Sequence, residues 1–97
     1  MIKIQKKDFN LEKKVNSIKY KYSHIGAVST FIGYVRNINL NKKVTSIHLE
    51  VYEEMAIKSL SNICEQAKKK WNLIDSLVIH RHVDLKINEK IVLVATF

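Results

Sequence analysis

Apolar residues recur along the chain with two different periods, and each period predicts one type of secondary structure. Spacings of three and four positions predict helices over residues 11–22 and Glu53–Trp71. Period-two alternation and unbroken apolar runs predict strands. The predicted strands are Ile2–Gln5 and residues 25–38, 44–52, 77–83 and 90–97.

The ends of the predicted helices carry residues that suit helix termini. Asn10 precedes the first helix and is a candidate N-cap, because its side chain can accept a hydrogen bond from the first turn. In the second helix, acidic residues stand at the start and lysines at residues 68–70, so both charges favour the helix dipole. An apolar stripe predicts that this helix packs on the core; the stripe consists of Ile57, Leu60, Ile63, Cys64, Ala67 and Trp71.

The pairing of the later strands follows from their spacing and composition. Only the turn 39–43 separates residues 25–38 from 44–52, so these strands are predicted to form an antiparallel hairpin. Residues 84–89 are predicted to be a loop. The last run, 91–97, is apolar on both faces, which is typical of a central strand covered on each side. Such a strand at the end of a sequence predicts either pairing with another chain or a C-terminally truncated form of a longer protein, and we favour truncation.

Length, charge and cysteine content narrow the class of protein. The 97 residues predict one domain, residues 1–97, with a single core. The net charge of +8 predicts an acidic partner, which leaves nucleic acid, a phosphorylated small molecule and an acidic protein as alternatives. Cys64 is the only cysteine, so no disulfide can form within the chain and a reducing, cytoplasmic location is expected.

A glycine and an arginine near the end of the strand at residues 25–38 are the first candidates for chemistry. Gly33 adds no packing within a strand, so it marks either a bulge or a place where another backbone comes close. Arg36 follows three residues later and carries a fixed charge with a planar fork of donors. Close backbone access beside a guanidinium suits a site that receives a peptide tail and an anionic ligand.

Several other residues have both a chemical and a structural interpretation. His80 and His82 lie on one strand face and could bind zinc, but a site needs a third or fourth ligand, and we predict no metal site. Cys64 lies within the apolar stripe and is expected to be a buried, unreactive thiol. Surface pairing and general acid–base chemistry both remain open for three residues that share a strand face: His48, Glu50 and Tyr52.

Four segments, in their order along the chain, resemble one known family. They are Gly26-Ala-Val-Ser-Thr-Phe-Ile-Gly-Tyr-Val-Arg-Asn37, Leu49-Glu-Val-Tyr52 with Met55 shortly after, residues 67–71 and Val78-Ile-His-Arg81. Together they are similar to the large, catalytic subunit of molybdopterin synthase. The resemblance implies an α+β fold of the α/β hammerhead type, with a mainly antiparallel sheet and two helices. It also implies an enzyme of molybdenum cofactor biosynthesis, a sulfurtransferase that converts cyclic pyranopterin monophosphate to molybdopterin.

The resemblance implies partners as well as a reaction. Sulfur would come from the thiocarboxylated glycine–glycine tail of a small ubiquitin-like carrier subunit. Two large subunits would form a homodimer with one carrier at each end, which gives a heterotetramer. The large subunit itself would need neither a cofactor nor a metal.

The resemblance also assigns residues by position. Tyr34, Val35 and Arg36 match the substrate-binding Lys-Val-Arg triplet of the family, with tyrosine in place of the lysine. We expect Phe31, Gly33 and Arg36 to border the pocket for the carrier tail. The lysine credited with catalysis in the family would lie beyond residue 97, so no catalytic residue is assigned and the 97-residue chain is expected to be inactive alone.

Two further functions stay open. A non-catalytic member of the same family would dock the carrier or dimerise without performing chemistry. A small basic nucleic-acid-binding domain would need its basic residues on one face, with exposed aromatic rings on which bases stack. The aromatic residues here mostly follow apolar patterns instead, which disfavours nucleic acid as the partner.

Overall fold

The computed structural model describes residues 1–39, 42–43 and 45–97. Its elements, in chain order, are β1 (Ile2–Gln5), α1 (Leu11–Lys19), β2 (Ser29–Tyr34), β3 (Ile38–Asn39), β4 (Lys42–Lys43), β5 (Ser46–Leu49), α2 (Glu53–Trp71), β6 (Ser76–Arg81), β7 (Val83–Lys86) and β8 (Lys90–Thr96). Neither helix in these ranges has the length and hydropathy that a membrane span requires.

The main sheet contains four strands in the order β1, β6, β8, β2. β1 and β6 are parallel, whereas β8 runs antiparallel to both of its neighbours, β6 and β2. The prediction of an α+β fold with a mainly antiparallel sheet is therefore confirmed. β8 has a hydrogen-bonded strand on each side, which also confirms that the last apolar strand is central.

The core lies between the sheet and α1. Ile18 on α1 is 1% exposed and packs with side chains from one face of β6 and β8. These strand residues are fully buried; they are Leu77, Ile79, Leu93 and Ala95. Because side chains of a strand alternate between faces, the residues between them point toward α2.

Local chemistry fixes both ends of α1. The Lys13 N–H donates to Asn10 Oδ1 over 3.0 Å, so the predicted N-cap is confirmed. The helix ends at Lys19, short of the predicted end at Tyr22. Tyr22 instead leaves the helix, and its hydroxyl donates to Asp75 Oδ2 over 3.1 Å, next to the start of β6.

The second helix has the predicted bounds, Glu53–Trp71, but its apolar stripe does not form core, so that prediction is wrong. None of residues 53–71, all of which the structure describes, is buried. Ile63 and Trp71 are 60% and 67% exposed. α2 lies against β1 and β6, and a cavity of about 210 Å³ separates it from part of the sheet; its lining includes Leu60, Ile63, Cys64, Val78, Val92 and Val94. Periodicity identifies the inward side of a helix, but it does not determine how closely the helix approaches its neighbour.

The predicted long strand and hairpin are corrected. Residues 25–38 do not form one strand, because only Ser29–Tyr34 joins the sheet and Ile38–Asn39 belongs to a separate two-stranded ribbon with β4. β2 pairs with β8, and β5 pairs with β7, so the strands predicted at 25–38 and 44–52 are not hairpin partners. Closeness in sequence favours a hairpin, but β8 offers β2 a more apolar partner. The predicted turn residues Leu40 and Asn41, and the predicted strand start Val44, lie outside the described residues.

The predicted loop at residues 84–89 contains a strand. β7 follows β6 after His82 alone, yet it leaves the main sheet and pairs with β5. The sharp change of direction occurs at Val83, whose φ of 73° is unusual for a β-branched residue. Alternation over so few residues is too short to identify such a strand from the sequence.

Candidate functional site

The predicted substrate-binding triplet lies where β2 ends and keeps the alternation of a strand. Val35 points inward and is 2% exposed, whereas Tyr34 is 54% exposed. Arg36 is also exposed. The two side chains that flank Val35 are therefore the ones available to a ligand.

Gly33 lies beside an irregularity in the β2–β8 ladder. Gly33 pairs with Val92 and Tyr34 pairs with Lys90, so Ile91 is an extra residue on β8 and forms a bulge. A Cβ at position 33 would lie 3.0 Å from Val92 Cγ1. The close neighbour of Gly33 is thus a side chain of the same sheet, which gives the glycine a packing role.

Substitution of Gly33 by alanine is expected to lower the free energy of unfolding by roughly 1 kcal/mol, because the added methyl group must displace Val92. Gly26→Ala is a matched control, since nothing lies within 4 Å of a Cβ at that position. Chemical denaturation measures both changes. Val92→Ala should recover part of the loss in the double variant, and an equal effect of the two glycine substitutions would contradict the packing role.

The backbone of Val35 is bound by the turn between β7 and β8. Its N–H donates to the Glu89 carbonyl over 2.9 Å, and its carbonyl accepts from the Asn88 N–H over 2.8 Å. Asn88 has a φ of 68°, in the left-handed region that asparagine tolerates. The residue before Arg36 is therefore fixed through both of its backbone polar groups.

Arg81 lies at the centre of the contacts around this turn, and its side chain is 10% exposed. Its Nε and Nη2 each donate to the Lys6 carbonyl over 3.1 Å. Its Nη1 donates to the Lys90 carbonyl over 2.9 Å and lies 3.6 Å from Glu89 Oε2. The guanidinium thus joins the segment after β1 to the start of β8.

Arg81 was not among the predicted site residues, although its position carries a signal. It falls on the same strand face as Leu77 and Ile79, which are apolar and fully buried. Charged side chains are rarely buried unless they are paired. An arginine at an inward position therefore indicates that hydrogen-bond acceptors or a carboxylate surround its guanidinium.

The predicted pocket for a peptide tail is not enclosed by the described residues. No hydrogen bond or ion pair within residues 1–39, 42–43 and 45–97 involves the Arg36 side chain. Phe31 is 63% exposed and lies beside Gly33. Neither the cavity under α2 nor an open hollow of about 710 Å³ at the start of α2 includes Phe31, Gly33 or Arg36 in its lining. Within the described part of the chain, Phe31 and Arg36 are exposed and Gly33 is half-buried.

His48 forms a surface pair, one of the two possibilities raised by the sequence. Its Nδ1 lies 2.7 Å from Asp84 Oδ1 across the β5–β7 ladder, and its Nε2 lies 3.6 Å from Glu50 Oε1. The hydrogen bond to Asp84, and then its negative charge, raise the pKa of His48 above the ordinary value of 6.5. Tyr52 is not part of this pair, because it precedes α2 as its N-cap residue.

The His48 pair is expected to make stability depend on pH. A pKa raised in the folded state adds stability that is fully present below the ordinary value of 6.5 and is lost as pH rises through the folded-state value. The difference in unfolding free energy between the natural protein and His48→Gln should therefore shrink from about pH 5 to about pH 8. Asp84→Asn should remove the same pH-dependent difference, and an unchanged profile in that variant would contradict the assignment.

The other candidate ligands and the thiol are not gathered into a site. His80 Nδ1 donates to the Arg81 carbonyl over 2.7 Å. Across the described ranges, no group of three His, Cys, Asp or Glu side chains is placed to hold a metal ion. Cys64 is half-buried rather than buried as predicted, because α2 stands away from the sheet.

Comparison with known proteins identifies one family. The family model described as "MoaE protein" matches residues 4–97. A relative from Ralstonia nicotianae, described as "Molybdopterin synthase catalytic subunit", is 44% identical over 94 residues, which are 97% of this chain and 53% of the relative. A relative from Vibrio cholerae with the same description is 41% identical over 93 residues, 96% of this chain and 61% of the relative. The chain thus spans little more than half the length of these relatives.

A solved structure supports the same relationship. It is described as "Molybdopterin cofactor biosynthesis protein E" from Burkholderia multivorans, and it superimposes with a TM-score of 0.88 at 34% identity. The match covers 99% of this chain and 62% of that chain. The range matched by the family model, residues 4–97, contains the triplet and Arg81.

Proposed function

Because the chain belongs to the MoaE protein family, we propose that it acts in molybdenum cofactor biosynthesis as the catalytic subunit of a molybdopterin synthase. The proposed reaction transfers sulfur to cyclic pyranopterin monophosphate and yields molybdopterin. The observation that carries this proposal is the 44% identity, over 97% of this chain, with a protein described as that catalytic subunit.

The exposed triplet suits the proposed substrate. Arg36 can form charge-assisted, bidentate hydrogen bonds with a phosphate or a thiocarboxylate. Tyr34 adds a hydroxyl donor on the same strand face as Arg36, opposite the face to which the buried Val35 points. In the proposed complex the carrier tail lies along Phe31 and Gly33, where the α2 side of the sheet is open.

The proposed partners are a small ubiquitin-like carrier with a glycine–glycine tail and a second large subunit. The net charge of +8 supports an acidic carrier and a phosphorylated substrate, because opposite charges speed their encounter. We place the protein in the cytoplasm, where the free thiol of Cys64 would stay reduced.

A docking module without chemistry is the second candidate, and one observation favours it. Arg36 is exposed and makes no ion pair with a carboxylate of the described ranges. An isolated cation can bind a carboxylate, but it offers no general acid or base. This candidate predicts carrier binding without turnover.

One experiment separates the two candidates. A chimera would join the 97 residues to the parts of the Ralstonia nicotianae subunit that this chain does not match. Calorimetry would measure binding of the thiocarboxylated carrier, and mass spectrometry would detect sulfur incorporated into the pterin. Binding with turnover is the expected result. Binding without turnover would favour the docking module, and the absence of both would contradict both candidates.

A further inference from the structure

Arg81 is the one buried charged residue in the part of the chain that the structure describes. Burial of a cation is costly unless its N–H groups find acceptors with good geometry. Here the fork donates to two carbonyl oxygens, of Lys6 and Lys90, and lies beside the Glu89 carboxylate. An apolar side chain could fill this position without that cost, so the arrangement points to a demand for fixed geometry.

We propose that Arg81 is a positioning residue for Arg36. Its guanidinium fixes the turn at residues 88–90, the turn fixes the backbone of Val35, and Val35 sets the direction in which the next side chain leaves the surface. The use of Arg36 by a ligand rests on the proposed function, whereas its orientation by Arg81 does not.

The contacts form an unbroken series from one arginine to the other. Arg81 holds the Lys90 carbonyl, and the Lys90 side chain donates to the Phe9 carbonyl over 2.6 Å, so the start of β8 is anchored through two groups. Lys90 is in turn the ladder partner of Tyr34. Val35, the residue after Tyr34, accepts from the Asn88 N–H and donates to the Glu89 carbonyl.

Arg36 depends on this support because its own side chain makes no hydrogen bond or ion pair that would orient it within the described ranges. A long side chain that is free at its tip is aimed only by its backbone. A fixed backbone lowers the entropy that is lost when the guanidinium binds an anion. By holding the turn, Arg81 thereby prepares Arg36 to bind an anion.

The test uses Arg81→Lys, which keeps the charge but cannot place a planar fork of donors between the two carbonyls and the Glu89 carboxylate. Ile18→Val is the matched control, because it weakens the buried core cluster, which does not include residues 88–90. Amide hydrogen exchange would be followed at Val35 and Asn88, whose N–H groups make the two contacts. Inorganic phosphate would be titrated as a probe, with the Arg36 Nε–H signal as the readout.

In Arg81→Lys, exchange at the two amides should accelerate roughly tenfold beyond the change in other core amides, because each loses a fixed partner. The dissociation constant for phosphate at Arg36 should rise roughly fivefold. Ile18→Val should change all core amides alike and leave phosphate binding unaltered. Uniform acceleration in Arg81→Lys, or unaltered phosphate binding, would overturn the proposal. An Arg36→Ala chimera with full sulfur transfer would refute the ligand role of Arg36 without affecting these two readouts.

Discussion

Substitution of Leu93 by alanine is expected to lower the free energy of unfolding by about 2–5 kcal/mol. Leu93 is fully buried and lies on β8, opposite Ile32 on one side and Ile79 on the other. Neighbours from two strands and from α1 enclose the site, so little collapse into the new space is possible. Such a loss is a large fraction of the roughly 5–15 kcal/mol that stabilises a typical domain.

Denaturation in urea measures this change, and Ile63→Ala is the matched control. Ile63 is also an apolar residue of a predicted core stripe, but it is 60% exposed on α2. Its substitution should cost no more than about 0.5 kcal/mol. A comparable loss in both variants would mean that the α2 stripe is covered in solution and would contradict the exposure described above.

Arg36→Ala is expected to lower sulfur transfer by the chimera roughly ten- to a hundredfold. Hydrogen bonds to a charged group contribute about 1.5–3 kcal/mol, and a loss of about 1.4 kcal/mol corresponds to a factor of ten. The effect should fall mainly on the Michaelis constant, because the guanidinium is proposed to hold an anion in both the ground state and the transition state.

Two controls make the Arg36 result specific. Arg36→Lys keeps the charge and removes the planar fork, so an intermediate activity is expected. Lys19→Ala removes a positive charge from an exposed position at the end of α1 and should leave the rate unaltered. If Lys19→Ala lowers the rate as much as Arg36→Ala, general charge attraction rather than a specific contact would explain the loss.

Features that depend on neighbouring residues alone were predictable from the sequence. Asn10 caps α1 because its own side chain reaches the first turn, and α2 has its predicted bounds because charges and apolar spacing agree along its length. The central place of β8 was also predictable, since a strand that is apolar on both faces needs cover on both.

Features that depend on distant partners were not predictable in the same way. The choice of β8 by β2, and of β7 by β5, results from competition among strands far apart in sequence. The exposure of Ile63 and Trp71 depends on where α2 lies relative to β6, which periodicity does not encode. A residue such as Val83, with its positive φ, contradicts its own intrinsic preference and is recognised only in the structure.

The candidate site shows the same division. Resemblance located Tyr34, Val35 and Arg36, and strand alternation explains why the middle residue is buried. The inward position of Arg81 was visible in the sequence. Its two carbonyl acceptors and its ion-pair partner come from Lys6, Lys90 and Glu89, on segments whose meeting no local pattern predicts.

β8, one of the two inner strands of the main sheet, is synthesised after the other three strands that the structure describes in this sheet. β1 can pair with β6, but β2 has no partner in this sheet until β8 has left the ribosome. During translation the edges of β2 and β6 that pair with β8 therefore remain unpaired. Unpaired strand edges promote association between nascent chains. We expect co-translational chaperones to matter for the yield of this protein, and slowing of translation before residue 90 should increase aggregation.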